Sequence, residues 1–417
     1  MLEFKFPKDF LWGSATSAHQ VEGNTKNDWT EWEFRNAKRL AIEAAKKTWP
    51  EYINNAYPNP LRAENYISGK ACDHYNRFKE DFDMAKSLGH NAYRFSIEWS
   101  RIEPEEGKFD EKEIEHYRQV IRALKERGIE PFVTLWHWTL PLWVRDFGGV
   151  ESKKFIVHFE RYVRYVVLRL GSDVIFWMTL NEPTSVIAAA YTAGKWPPQK
   201  RNIIAALRVF RRLACAHRRA YRAIHEVQAN AQVGFGNVLH FFEAYNVWNP
   251  LDWISVFVSK FFTNQYFFWL TGKDAHDYIA IQNYFHNRIA FPWRLKNNNE
   301  KVSDMGWELY PESLYYILKE WEKLKRPIYI TENGLADARD NDRAWFIREA
   351  FKNISRAIQE GADVRGYFYW SLLDNFEWDK GFWPRFGLVE VNFKTLERKI
   401  RPSALEYKKI IENRGVY

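Results

Sequence analysis

The chain has 417 residues, 46% of them hydrophobic and 27% charged, which is ample for a large buried core and excludes a disordered tail protein. Its net charge of +8 comes from 61 basic residues dispersed among 53 acidic ones, so no nucleic-acid partner is expected. The length suits two or three ordinary domains or one α/β barrel.

The densest basic run, Arg208 to Arg222, is interleaved with Phe210, Leu213 and Tyr221 and reads as the solvated face of an amphipathic helix. Two cysteines, Cys72 and Cys215, stand apart from any CxxC or Cys/His cluster, so neither a disulfide framework nor a zinc site is expected. The first residues, from Met1 to Pro7, lack the order of a signal peptide, and a cytoplasmic location is the expectation. Aromatic residues make up 18% of the chain, including 20 Trp, and indole surfaces suit the stacking of flat, hydroxyl-rich ligands.

In chain order, β-type apolar runs occur at 10–15, 92–97, 131–135, 174–179, 232–238, 278–282, 327–331 and 366–369, each ending in polar or aromatic residues. Helical patterns fall between them at 111–127, 153–170, 204–227, 311–323 and 342–360. The first of these has Ile114, Tyr117, Val120, Ile121 and Leu124 at helical spacing. Eight strands alternating with helices predict a single-domain (β/α)8 TIM barrel over 1–417 with elaborated βα loops. An open doubly wound sheet is the alternative. No GxGxxG follows the first run and no GxxxxGK[ST] loop occurs, which weighs against it.

A barrel concentrates function just after the strand ends. Those ends carry His19-Gln20, Arg94, Trp136-His137-Trp138, Asn181-Glu182, Asn283-Tyr284, Glu332-Asn333-Gly334 and Trp370. Glu182 and Glu332 each follow a β-type run directly. Pro183 biases Glu182 away from helical geometry, and Asn333-Gly334 reads as a turn. A single such Glu is ordinarily a helix cap or an ion-pair partner. Two of them, at the ends of the fourth and seventh strands and among stacking aromatics, point instead to glycoside hydrolysis by paired carboxylates.

The motifs Thr179-Leu180-Asn181-Glu182-Pro183 and Ile330-Thr331-Glu332-Asn333-Gly334 resemble the acid/base and nucleophile motifs of glycoside hydrolase family 1, the β-glucosidase and β-galactosidase family. The resemblance continues through Phe10–Gln20, Tyr93–Ile97, Thr134–Trp138, Gly306–Pro311 and Trp370 to Leu388, nearly the whole chain in the family's order. It implies a retaining β-glycosidase acting on terminal non-reducing β-glucosides or β-galactosides, with no cofactor and no metal. A non-catalytic sugar-binding relative would be expected to lack one carboxylate, and both are present. Transglycosylation would use the same residues.

By that resemblance Glu332 is the nucleophile and Glu182 the acid that becomes the base. Retention then requires their carboxyl groups to lie about 5–5.5 Å apart. Arg94 and Tyr284 would support the nucleophile. Gln20, His137, Asn181 and Glu377 would bind sugar hydroxyls, Asn181 at the 2-position. Trp370 would form the stacking floor, Trp378 would donate its indole N–H, and Phe386 would complete the sugar site. A cis peptide is implied before Ser371. Glu377 would repel a phosphate, so an unphosphorylated sugar is expected.

The sequence departs from the family's pattern at Thr139, where Asp is frequent, and at Gln282, where a small or apolar residue is more usual. Between Gly236 and Asn283 it is shortened and strongly apolar, from Leu251 to Leu270. Asp252, Lys260, Asn264 and Gln265 interrupt that stretch, so a membrane-spanning helix is not expected. A buried helix or subunit contact is one reading of it. The other is an apolar wall at the aglycone entrance or a peripheral membrane patch, which would favour alkyl or aryl aglycones. Few Met and Cys with mixed charge suit a thermophile; nothing in the sequence sets the oligomeric state.

Overall fold

The computed structural model describes residues 4–416. Eight strands close into a parallel barrel: β1 (Leu11–Ala15), β2 (Ala92–Ser96), β3 (Glu130–Thr134), β4 (Phe176–Asn181), β5 (Gln232–Val238), β7 (Ile279–Asn283), β10 (Ile328–Asn333) and β11 (Val364–Trp370). Closure comes from β1, which pairs in parallel with both β2 and β11. All eight strands expected from the sequence are present. The fourth starts later than expected and runs on through Asn181, because the Asn181 N–H donates to Trp136 O at 2.9 Å.

Two apolar layers result. The barrel interior holds Phe132, Met178, Tyr278, Tyr329 and Phe368 between small residues such as Ala15, Ala92 and Ala280. Phe132 stacks on Phe176 at 5.0 Å and meets Phe368 edge-on at 5.1 Å, so the interior is filled rather than hollow. The outer layer lies between strands and helices, which include α1 (Asp28–Ala44), α2 (His74–Ser87), α3 (Glu111–Glu126), α4 (Lys154–Leu170) and α5 (Ile203–Val227). The polar face of α5 carries the arginines of the 208–222 run, as its spacing predicts.

Loops at the C-terminal ends of the strands are long. After β5 the chain forms β6 (Phe241–Ala244), then α6 (Pro250–Lys260), a π-helical turn at 261–265 and α7 (Tyr266–Thr271). After β7 it adds β8 (His286–Ala290) and β9 (Arg294–Leu295), and the order β6-β8-β9 makes a small separate sheet. Helices α8 (Ser313–Trp321), α9 (Arg343–Gln359) and α10 (Pro402–Asn413) complete the ring. Among the described residues no helix is long and apolar enough to cross a membrane.

The segment 251–270 is not a buried helix. Leu251, Trp253, Ile254, Phe257, Phe262 and Trp269 are exposed.

Candidate active site

The strand ends open onto one cavity of about 840 Å³. Gln20, His137, Glu182, Tyr284, Glu332, Trp370, Glu377, Trp378 and Phe386 all line it. Arg94 and Asn181 stand one layer behind, almost fully buried. None of residues 251–270 lines the cavity. The segment therefore does not form the wall expected at the aglycone entrance, because α6 and α7 pack on β6 and α5 beside the barrel.

Glu332 is the penultimate residue of β10, where the strand is pinned between β7 and β11. Its Oε1 accepts from Arg94 Nη1 at 2.5 Å and Gln282 Nε2 at 2.9 Å, and its Oε2 accepts from Tyr284 Oη at 2.8 Å. Asn333 makes no turn. It continues β10, donating to Asn283 O at 2.7 Å and accepting from Tyr367 Oη at 3.0 Å. Gly334 is required by a close approach instead: a Cβ there would lie 2.0 Å from Trp370 O.

Glu182 follows β4 with φ of +39°, in the left-handed region. Such a backbone costs on the order of 1–3 kcal/mol for a residue other than glycine. The surroundings impose it: the Glu182 N–H donates to Gly236 O at 2.8 Å, and Pro183 starts the next helix. Trp138 and Trp378 also have positive φ, +80° and +49°. Three cavity-lining side chains are thus aimed by strained backbone.

Burial pushes the Glu182 carboxyl up to about 8, and the charge on Glu332 adds to the shift; Ser185 and Arg94 oppose it. Burial also raises Glu332, but the Arg94 charge and the hydrogen bonds from Arg94 and Tyr284 hold it back. Of the two, Glu332 ionises first, since a carboxylate that accepts from a guanidinium, an amide and a phenol is the better-stabilised anion. Two carboxyl groups pushed apart in this way are the pattern of an acid beside an anion.

Arg94 reaches across the barrel floor, donating from Nη2 to Asn181 Oδ1 at 2.6 Å and from Nε to Thr134 Oγ1 at 3.2 Å. Asn181 also accepts from Gln282 Nε2 at 2.7 Å and donates to His137 Nε2 at 3.1 Å. That occupies both ends of its amide, which is why it stands behind the lining. His137 Nδ1 is buried without a partner among the described residues. Burial and the Arg94 charge keep its imidazole well below its ordinary value, hence neutral and able to serve a hydroxyl.

On the opposite wall Gln20 Nε2 donates to Phe376 O at 2.8 Å, Asn375 Oδ1 at 3.1 Å and Glu377 Oε2 at 3.4 Å. Burial lifts Glu377 to about 8, with the charges of Glu332 and Asp379 adding, so below that pH it is a neutral carboxyl and not the phosphate-repelling anion expected from the sequence. Trp370 precedes Ser371 through a cis peptide bond, as the resemblance implies. Its ring stacks on His137 at 6.1 Å, and His137 stacks on Trp378 at 6.0 Å. Phe386 packs against Tyr284 and Trp307. Among the described residues no group of three or more His, Cys, Asp or Glu is placed to hold a metal ion.

The sequence-based assignment missed Gln282, which contacts both Glu332 and Asn181. The signal was available: on a strand, residues two apart share a face, and Gln282 is two residues before Tyr284. At Thr139 the hydroxyl donates to Glu98 Oε2 at 2.9 Å. An Asp there would face the buried Glu98 carboxylate, so Thr suits this neighbourhood.

The pattern of glycosyl hydrolase family 1 matches residues 2–268 and 260–416. The β-glucosidase A of Thermotoga maritima is 32% identical, with 99% of each chain covered. The β-galactosidase of Pyrococcus woesei is 29% identical over 99% of this chain and 98% of its own. Among solved structures, a β-glycosidase from Pyrococcus horikoshii superposes with a TM-score of 0.87 at 35% identity, covering 100% of this chain and 97% of that one. A Thermotoga maritima β-glucosidase in complex with glucoimidazole gives 0.88 at 30% identity, covering 99% and 100%. With its barrel, its paired carboxylates and these relatives in agreement, the chain belongs to glycosyl hydrolase family 1 and is a retaining β-glycosidase.

Proposed function

We propose that the enzyme hydrolyses terminal β-D-glucosides and β-D-galactosides, with Glu332 as nucleophile and Glu182 as acid and then base. The observation that carries this is the asymmetry of the pair. Glu332 accepts from Arg94, Gln282 and Tyr284, while Glu182 is held protonated to about 8.

The ionised Glu332 carboxylate attacks the anomeric carbon as the glycosidic C–O bond breaks, and Glu182 gives its proton to the departing oxygen. The glycosyl ester that results removes the Glu332 charge. Glu182 then loses one of the causes of its raised pKa, ionises, and takes a proton from the water that opens the ester. His137, Gln20, Glu377 and Trp378 bind the sugar hydroxyls, Trp370 stacks on the ring and Phe386 closes the site. Asn181 reaches the 2-hydroxyl by exchanging its bond to His137. On the aglycone side Trp49, Phe285, Met305 and Trp307 favour apolar alkyl or aryl groups.

The test uses aryl β-glucosides and a 2-deoxy-2-fluoro analogue. Wild type should gain the mass of one fluorosugar, on the peptide bearing Glu332. A label on Glu182, or inverted product, would refute the assignment.

We further propose that the enzyme works in the cytoplasm and meets a lipid surface peripherally through 251–270. The exposure of that segment supports the contact. Cell fractionation should find the protein with membranes and release it in high salt; recovery wholly in the unwashed supernatant would count against it.

A further inference from the structure

Polarity is inverted on α6. Asp252 and Ser255 face inward, at 2% and 0% exposure, while Ile254 and Phe257 face outward at 52% and 69%. The Asp252 carboxylate fixes this orientation by accepting from the N–H groups of Asn246 and Phe291 and from Asn249 Nδ2. Rotating the helix to bury its apolar side would strip these donors from a buried carboxylate. The outward face is therefore held there, and it is not isolated. Trp248, Trp253, Phe262 and Trp269 are exposed on the same excursion, and Trp293 and Leu295 on the one that follows β7, more than scattered surface residues produce.

Beside this face a groove runs between α5 and α7, lined by Arg211, Arg218, Arg219 and Arg222 together with Tyr266 and Trp269. Arg219 pairs with Glu160 at 3.2 Å. Among the described residues, Arg211, Arg218 and Arg222 meet no carboxylate at ion-pair distance, and all three are exposed. A row of unpaired guanidinium groups next to Trp269 offers bidentate donors and an apolar surface together.

We propose that this groove docks the phosphate headgroups of anionic lipids while the aromatic face of α6 and α7 lies in the interface beside it. The proposal rests on the peripheral contact above and adds the lipid chemistry that makes it selective. Two observations favour lipid over a second copy of the chain. A copy carries the same net charge of +8 and the same arginines, so a two-fold contact on this face sets like charges together. Indole and guanidinium groups flanking a short apolar helix are also the composition that settles at headgroup depth. The 11 residues of α6 span about 16 Å at 1.5 Å per residue, enough to lie in the interface and too little to cross it.

The experiment is co-sedimentation of the full-length enzyme with vesicles of phosphatidylcholine alone or with 30% phosphatidylglycerol. The mixed vesicles should bind far better, and 0.5 M salt should release the protein. Each arginine near an anionic surface is worth about fivefold in partition, so R211Q/R218Q/R222Q should bind about a hundredfold more weakly. Hydrolysis of a soluble aryl glucoside should be unchanged, which reports that the variant is folded. Phe257→Ser should weaken binding to both compositions. A triple variant that binds the mixed vesicles like wild type refutes the headgroup site but leaves the peripheral contact standing. Displacement by millimolar inorganic phosphate assigns the groove to the free anion and refutes the lipid. No binding to either vesicle sinks the peripheral contact as well, and a dimer in light scattering that Phe257→Ser dissociates gives the face to a second copy.

Discussion

The barrel mouth and the excursions at 241–271 and 286–295 stand at the same end of the strands and follow opposite rules. At the mouth, charged and polar groups are buried and each is met by others: Arg94, Asn181, Gln282, Tyr284 and Glu332 form one connected network. On the excursion a buried carboxylate, Asp252, is used only to present apolar side chains outward. Burial tunes acidity in the first region, whereas in the second it serves orientation. The contrast predicts where a substitution costs activity and where it costs nothing.

The largest effect should come at the proposed nucleophile. Glu332→Gln removes the only group that can form the ester, and kcat for aryl β-glucosides should fall by about four orders of magnitude or more. Steady-state assays with a trace-contamination control read this directly. Residual activity above one per cent would break the assignment.

Next is Glu182→Gln. On substrates that need a protonated leaving group, kcat/KM should drop roughly 10²–10⁴-fold. It should recover with a leaving group that departs unprotonated, when azide is added to replace the base-activated water. The wild-type kcat/KM should decline above a pH of about 8, where Glu182 loses its proton, and the variant should lose that limb.

Stability should move the other way at the same residue. The Glu182 carboxyl is raised from 4.5 to about 8 in the folded chain. The contribution of its protonated form is therefore complete below about 4.5 and lost as pH rises through about 8. Gln carries no such penalty, so Glu182→Gln should unfold with a ΔG higher by on the order of 4 kcal/mol at pH 8 and near wild type at pH 4.5. Denaturant titrations at the two pH values check it; a destabilised variant at pH 8 would mean that Glu182 is ionised in the fold.

Gln282→Leu takes one of three donors from Glu332 and one of two from Asn181 Oδ1. A lost buried hydrogen bond costs about 1–3 kcal/mol, so kcat should fall roughly 10–100-fold while KM moves little. Because a weaker donor set leaves Glu332 less acidic, the acid limb of the pH profile should shift upward. Gln282→Asn should recover part of the rate. A loss in KM alone, with the acid limb unmoved, would make Gln282 a packing residue.

The barrel was legible in sequence because each strand is an apolar run closed by polar residues, and because its helices have one apolar stripe. The carboxylates were legible because their motifs fall at those closures. Gln282 was harder to see: its spacing from Tyr284 marks a shared face, but its role depends on Arg94 and Asn181 arriving from β2 and β4. Asn333-Gly334 misled for a similar reason. The pair is a common turn, yet here the glycine answers the carbonyl of Trp370 from the neighbouring strand. The orientation of α6 could not be read from hydropathy, since a run from Leu251 to Val258 looks like core. The three donors converging on Asp252, with Val256 packed inward against Ala244 and Ile289, turn it outward.

That last point gives the smallest and most discriminating effect. If Asp252 sets the orientation of α6, Asp252→Ala should cost roughly 1–3 kcal/mol by leaving buried N–H groups unpaired, without changing hydrolysis of soluble substrates. Phe257→Ser, on the outward side, should stay within about 0.5 kcal/mol of wild type. A core residue of that size would cost about 3–5 kcal/mol when truncated, so a single urea titration separates the two cases. A large loss at Phe257 would mean that the outward face packs against something in the free protein, and the contrast between mouth and excursion would fail at its simplest point.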